Sequence, residues 1–189
     1  MKKNKLFVFS APSGSGKTTI VREILKIFPE LVFSISATTR KKRKNEIDGK
    51  DYFFISEEEF EKKILNNEFI EWEKFYDYYY GTLVEFIESQ LQNSKSVVLE
   101  VDVKGALSIK KSYPQSVLIF IMPPSLEELK KRLLQRQTES HEDFLKRIHR
   151  AEMELSYKDK FDYIIVNDSL ERAKNEVVEI IKNEINQEK

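Results

Sequence analysis

Residues 6–19, Leu-Phe-Val-Phe-Ser-Ala-Pro-Ser-Gly-Ser-Gly-Lys-Thr-Thr, constrain this chain more than any other stretch. Leu6–Phe9 is an unbroken apolar run, which suits a strand buried on both faces. A turn of small residues, Ser10–Gly16, follows it. From Thr18 the apolar positions Ile20, Val21, Ile24, Leu25 and Phe28 recur at helical spacing until Pro29 stops the pattern. A strand, a tight loop and a helix in that order aim the loop's N–H groups and the helix N-terminus at one point, which makes an anion cradle. Lys17 is placed to reach β- and γ-phosphates, and Thr18 offers its hydroxyl to Mg²⁺. The strict spacing G-x-x-x-x-G-K-[ST] fails only at its first position, Ala11. Ala11, Pro12, Ser13, Gly14, Ser15, Gly16, Lys17, Thr18 and Thr19 are therefore expected to hold the phosphates of a nucleotide.

The remaining pattern alternates strands and helices. Val32–Ser36 and Tyr52–Ile55 read as strands, with a basic loop at Arg40–Asn45 between them. Ser56 and Glu59 form a capping box for a helix carrying Phe60, Ile64 and Leu65. Phe69–Phe75 reads as extended. Thr82 with Glu85 reads as the cap of a helix that turns Phe86, Ile87 and Leu91 inward. Val97–Leu99 and Val117–Ile121 are apolar throughout, the mark of buried strands. Ser125 with Glu128 opens a helix carrying Leu126, Leu129, Leu133 and Leu134. Gln135–Glu142 is polar and expected to be mobile. A helix with Phe144, Ile148, Ala151 and Leu155, a strand at Tyr163–Val166 and a helix at Leu170–Ile185 complete the chain. The pattern predicts an α/β fold with a mostly parallel sheet flanked by helices. Two stretches break the alternation, roughly 34–83 and 126–150, and are candidates for inserted, movable subdomains of a single domain, as a chain of 189 residues allows.

Composition narrows the function. Lys and Arg number 32, as do Asp and Glu, which argues against coating nucleic acid by bulk charge. The absence of Cys excludes thiol catalysis, disulfide scaffolds and thiolate metal sites. His141 and His149 alone make a poor metal site. No apolar run approaches a membrane span, and Leu6–Phe9 after Lys2, Lys3 and Lys5 is too short for a leader. The chain therefore reads as cytoplasmic. The guanine-reading N-K-x-D segment of GTPases is missing, so a kinase for a small acceptor fits better. Arg40 and Arg43 offer two rigid forks that suit an acceptor's phosphate dianion, and Tyr52 can add a phenolic donor.

Further motifs extend the pattern. Ser34-Ile-Ser-Ala-Thr-Thr-Arg40, Arg43, Glu46, Gly49-Lys-Asp-Tyr52, Phe69-Ile-Glu71, Tyr80-Gly81-Thr82, Asp102, Gly105-Ala106, Pro123-Pro-Ser125 and Ile165-Val-Asn167-Asp168 stand in the order found in guanylate kinases. The chain resembles that family over about residues 4–184. The resemblance implies transfer of a phosphoryl group from ATP to GMP, or to dGMP, with Mg²⁺. It also implies a core of about 1–33, 84–125 and 151–189, a GMP-binding insertion of about 34–83 and a lid of about 126–150. On the family pattern Arg40, Arg43, Tyr52 and Tyr80 grip the GMP phosphate. Ser36, Glu71, Thr82 and Asp102 read guanine, with Gly81 among them. Asn167 falls on the ATP side, and Arg132, Arg136 and Arg147 are the lid arginines that join Lys17 and Arg40 in catalysis.

Departures are Glu100 where the family has the first Asp of D-x-D, Lys104 for Gln, Lys42 for Pro, Gln137 for Gly and Tyr78 for Asn. None removes a group the chemistry needs, and Glu100 could still meet Mg²⁺ through water. Two alternatives stay open on sequence alone, a catalytically silent interaction module and a kinase for another monophosphate. Monomer and dimer are both open as well. Lys17→Ala is expected to abolish turnover while the circular dichroism spectrum stays native; activity at the wild-type level would remove the loop from the mechanism.

Overall fold

In the computed structural model, which describes residues 4–75, 77–134 and 141–186, the chain runs β1 (Leu6–Ser10), α1 (Lys17–Ile27), β2 (Val32–Phe33), β3 (Ala37–Thr38), β4 (Phe53–Phe54), α2 (Glu57–Leu65), β5 (Phe69–Phe75), β6 (Tyr78–Leu83), α3 (Val84–Gln92), β7 (Val97–Glu100), α4 (Val103–Ser112), β8 (Val117–Met122), α5 (Leu126–Leu134), α6 (His141–Leu155), β9 (Tyr163–Val166) and α7 (Leu170–Asn186). The expected segment Gln135–Glu142 and the candidate Arg136 fall largely outside the described residues.

A strand without a polar edge or face belongs at the centre, and β1 is buried along its whole length. It lies between β7 and β8 in a five-stranded sheet of order β2-β7-β1-β8-β9, parallel throughout. Successive side chains alternate faces. Phe7 and Phe9 therefore pack with Ile20 and Ile24 of α1 and Val177 and Ile181 of α7. Leu6 and Val8 turn the other way, toward Ile87 of α3 and Val103, Ala106 and Ile109 of α4. A smaller cluster, Leu129, Leu133, Ile148 and Ala151, joins α5 to α6. Among the described residues no helix is long and apolar enough to cross a membrane.

A second sheet of order β4-β3-β6-β5 is built from residues 37–83. Its β5 and β6 are antiparallel, and so are β3 and β6, while β3 and β4 run parallel. The single strand expected over Val32–Ser36 is divided between the sheets. The backbone stays extended but changes partner: Ser34 N–H still donates to Val98 of the first sheet, and Ala37 already pairs with Gly81 of the second.

Four expectations need correction. Thr82 does not cap α3; it lies inside β6, and Leu83 precedes the helix with no side-chain cap. Leu65 and Leu134, read as inward, are 81% and 60% exposed; Leu65 is the last residue of its helix, beyond the packed turns. Helix α4 was not foreseen. Gly105 in its first turn masks the helical pattern, yet Asp102 caps it by accepting from the Gly105 N–H at 2.7 Å. Strand β6 was missed because a run of tyrosines carries no aliphatic alternation. Ser56 and Ser125 cap their helices as expected, each accepting from the N–H three residues on at 3.1 Å.

Phe120 is fully buried, and its ring centroid lies 5.0 Å from that of Phe161. Phe120→Ala is expected to lower unfolding stability by about 3–5 kcal/mol, measured by urea titration; a loss below about 1 kcal/mol would mean that the face of the sheet toward α4 is loosely packed.

Candidate functional site

Where β1 ends, the chain turns tightly, with Ser15 N–H donating to Pro12 C=O at 3.1 Å. Gly14 and Gly16 both adopt left-handed backbone, with φ near 90°, which a Cβ would strain. Gly16 is the residue immediately before α1. A Cβ there would also collide with the Asn167 amide, whose Nδ2 donates to Ser15 C=O at 2.8 Å. Leu129 and Leu133 of α5 pack beneath Gly14. The loop is thus held open on one side and braced on the other, with its convex face against β9 and α5.

The open side faces a cleft of about 470 Å³. Residues 11–19 form one wall. Ser36, Tyr52, Glu71, Tyr80 and Gly81 come from the second sheet and its approaches, and Glu100, Asp102 and Arg147 also line it as expected from sequence. Arg40, Arg43, Thr82, Arg132 and Asn167 are not on this lining, although Thr82 bonds Glu71 and Arg40 stands over Tyr52. Arg132 donates from Nε to Glu128 at 3.0 Å and from Nη2 to Asn167 C=O at 3.2 Å, which keeps it behind the loop. Arg43 is exposed and bonds through its backbone N–H to Glu46.

The groups at the two ends of the cleft differ in character. On the loop side Thr18 Oγ1 donates to Glu100 at 2.8 Å, and Lys17 Nζ lies 3.2 Å from Val101 C=O and 3.9 Å from Glu100. On the other side Arg40 grips Glu46 with both terminal nitrogens, at 3.0 and 2.7 Å, and stands 5.4 Å over the Tyr52 ring. The Arg40 guanidinium and the Arg43 N–H hold the Glu46 carboxyl down to about 2. Burial raises the Tyr52 phenol further above neutrality, so it remains a donor.

Glu71 projects from β5 into the back of the cleft and accepts from Thr82 Oγ1 at 2.6 Å. Helix α4 passes so close that a Cβ at Gly105 would lie 2.8 Å from a Glu71 oxygen. Burial pushes the Glu71 carboxyl up to about 7; the Thr82 hydrogen bond opposes this, and the negative charges of Asp102 and Glu73 add to it. A half-buried carboxyl poised near neutrality in a cleft is a candidate functional position.

Glu73, Arg150 and Glu154 also line the cleft and were not foreseen. Their signals were periodic ones: Glu73 is two residues from Glu71 on a strand, Arg150 three from Arg147 on a helix, and Glu154 four from Arg150. The arrangement offers a phosphate cradle with a cation and hydroxyl at one end, and buried acceptors with an arginine–tyrosine pair at the other. Two ligands bound there would meet end to end, which is the geometry of group transfer.

A family model described as guanylate kinase matches residues 3–184. The guanylate kinase of Thermotoga maritima is 50% identical over 182 residues, which cover 96% of this chain and 88% of that protein. That of Bacteroides thetaiotaomicron is 50% identical over 186 residues, covering 97% and 91%. A crystal structure of guanylate kinase from Anaplasma phagocytophilum superposes with a TM-score of 0.79 at 32% identity, covering 98% of this chain and 88% of that one. A shikimate kinase structure from Bacteroides thetaiotaomicron shares the fold alone, with a TM-score of 0.50 at 11% identity over 94% and 98% of the two chains.

The raised Glu71 carboxyl has a thermodynamic consequence. The folded chain holds this proton more tightly than the unfolded chain, so the stability it contributes is present below the ordinary value of 4.5 and lost as pH rises through about 7. Glu71→Gln removes the titration, so its stability relative to wild type is expected to rise by on the order of 2–3 kcal/mol between about pH 5 and about pH 8. Urea midpoints at the two pH values measure this, and a constant difference would show that Glu71 titrates as an exposed acid.

Proposed function

The chain belongs to the guanylate kinase family, whose members transfer a phosphoryl group from ATP to GMP, and we propose that the cleft divides this reaction among the residues that follow. The observation that carries the assignment is a half-buried carboxylate, Glu71, bonded to Thr82 in the same cleft as the Lys17–Thr18 loop. Residues Ala11 to Thr19 hold the ATP phosphates through backbone N–H groups, Pro12 having none to give, and Lys17 leaves the Val101 carbonyl to reach the β- and γ-oxygens. Asn167 serves this site from behind, by fixing the Ser15 carbonyl so that the loop's N–H groups stay turned inward.

Mg²⁺ prefers hard oxygen ligands and keeps most of its waters. Thr18 Oγ1 and the Glu100 carboxylate, already 2.8 Å apart, fit that preference, the second through water. When bound, Mg²⁺ supplies positive charge to the β- and γ-phosphate oxygens.

GMP takes the other end. Arg40, Arg43, Tyr52 and Tyr80 hold its phosphate, with Arg40 exchanging Glu46 for the incoming dianion. Ser36, Glu71, Thr82 and Asp102 read guanine, and Gly81 leaves room beside them. The guanine edge presents N1–H and N2–H₂ donors together, and an ionised Glu71 accepts both. Adenine lacks this pair and would leave the buried carboxylate unsatisfied, the kind of mismatch that yields ~10⁴-fold discrimination. None of these contacts needs the ribose 2′-hydroxyl, so dGMP is included as an acceptor.

The GMP phosphate is largely dianionic near neutrality and attacks the γ-phosphorus directly. A bond forms from a GMP phosphate oxygen to that phosphorus, the bond to the β-bridging oxygen breaks, and ADP leaves with that electron pair. No general base is required. Residues 34–83 act as the GMP-binding unit and 126–150 as a lid whose closure brings Arg132, Arg136 and Arg147 to the transferring group and excludes water; Arg136 lies outside the described residues.

The test is ADP release from ATP–Mg²⁺ with GMP, AMP, CMP or UMP supplied one at a time. Turnover is expected with GMP, and Glu71→Ala is expected to raise KM for GMP far more than KM for ATP. Equal changes in the two constants, or wild-type turnover with another base, would overturn the reading of Glu71 and Asp102.

A further inference from the structure

Arg150 has no part in the assignment above, yet it stands among the acids that read the base. It projects from α6 into the cleft. Its Nη2 donates to both Glu73 oxygens on β5, at 2.7 and 2.9 Å, and its Nε donates to Glu154 at 3.0 Å. Asp102, at the head of α4, lies 3.7 Å from the same Nη2. One guanidinium thus joins α6 to the second sheet and to the start of α4, where Glu71, Glu73 and Asp102 converge.

The surroundings of Glu71 show what that placement does. Thr82 faces it from β6, Asp102 and the Gly105 backbone from α4, Glu73 from its own strand, and Arg150 and Glu154 from α6; Lys17, Glu100 and Arg147 line the same cleft. Glu73 and Asp102 are the anions that disfavour a charge on Glu71, and Arg150 is paired with the first and set against the second. A guanine edge with two donors needs both Glu71 oxygens as acceptors, and a protonated acid offers one fewer.

We propose that Arg150 is a positioning residue for guanine recognition: by binding Glu73 and facing Asp102 it neutralises the two anions beside Glu71 and keeps Glu71 an ionised, two-oxygen acceptor. This inference rests on the assignment of Glu71 as base reader. It differs from a mechanical role, in which the Arg150–Glu73 pair only ties α6 to the second sheet. Removing either partner breaks a tie equally. As charges on Glu71 the two act with opposite sign: loss of Arg150 makes Glu71 harder to ionise, and loss of Glu73 makes it easier.

The experiment measures KM for GMP, KM for ATP and kcat across about pH 5.5 to 9 for wild type, Arg150→Gln, Arg150→Lys, Glu73→Gln and Glu71→Ala. In wild type KM for GMP falls with rising pH and levels off once Glu71 is ionised. Arg150→Gln is expected to move that midpoint up and raise KM for GMP ~3–10-fold near pH 7, with KM for ATP unchanged. Glu73→Gln is expected to move the midpoint down, and Arg150→Lys to restore most of the wild-type profile. If Arg150→Gln does not fold, the downward shift in Glu73→Gln decides the matter. Midpoints that stay put, or that move the same way in both Gln variants, would overturn the proposal while leaving Glu71 as base reader. An unchanged KM for GMP in Glu71→Ala would instead remove the reading on which it rests.

Discussion

A parallel sheet covered on both faces has its connections at its two ends, and the site follows from that constraint. Because β1 presents apolar side chains to both sides, helices must pack above and below it, and every parallel neighbour must return by a crossover. The carboxyl ends of β1 and β7 then open side by side. The first yields the loop of residues 11–16, and the second yields Glu100, Val101 and Asp102. Thr18, Lys17 and Glu100 meet there although 82 or more positions separate the loop from the acid. The register Phe9 opposite Glu100 sets that meeting.

The second sheet solves a different problem, the burial of a carboxylate. An isolated charge in a low-dielectric setting is costly, and Glu71 responds by holding its proton toward neutrality. Its position requires a thin neighbour, which Gly105 of α4 supplies: a Cβ there would lie 2.8 Å from a Glu71 oxygen. On β6, Gly81 lies against Phe69, Phe60 and Trp72, where a Cβ would come within 2.9–3.0 Å of each side chain. Two of the chain's 5 glycines therefore serve close approach rather than turning.

Much of this was legible because it depends on local chemistry. The strand–loop–helix at residues 6–27, the buried runs at Val97 and Val117, and the caps at Ser56 and Ser125 are written in adjacent residues. What escaped depended on partners distant in sequence. Thr82 looked like a helix cap because Glu85 follows it by three; only pairing with β5 turns its hydroxyl to Glu71. Asn167 and Arg132 carry nucleotide-facing side-chain types, yet packing of β9 and α5 behind the loop gives them to Ser15 and to each other. Arg150 carries no motif in the sequence; only the fold, by setting β5 opposite α6, brings it to Glu73.

Two of the cations that the proposal gives to phosphate share one further property. Lys17 is held near Glu100 and the Val101 carbonyl, and Arg40 on Glu46. Each is aimed by an acid before any nucleotide arrives, which fixes its rotamer and lowers the ordering cost of binding. A carboxylate is also a weaker claimant than a phosphate dianion with three oxygens and nearly twice the charge. A stray monoanion therefore gains little by displacing it, whereas a nucleotide phosphate gains more. With 32 basic and 32 acidic residues, the chain carries no net charge with which to attract anions indiscriminately. On the proposed assignment selectivity for phosphate resides in these exchanges, one cation at a time, and Glu46, held ionised down to about 2, keeps its claim on Arg40 throughout the neutral range.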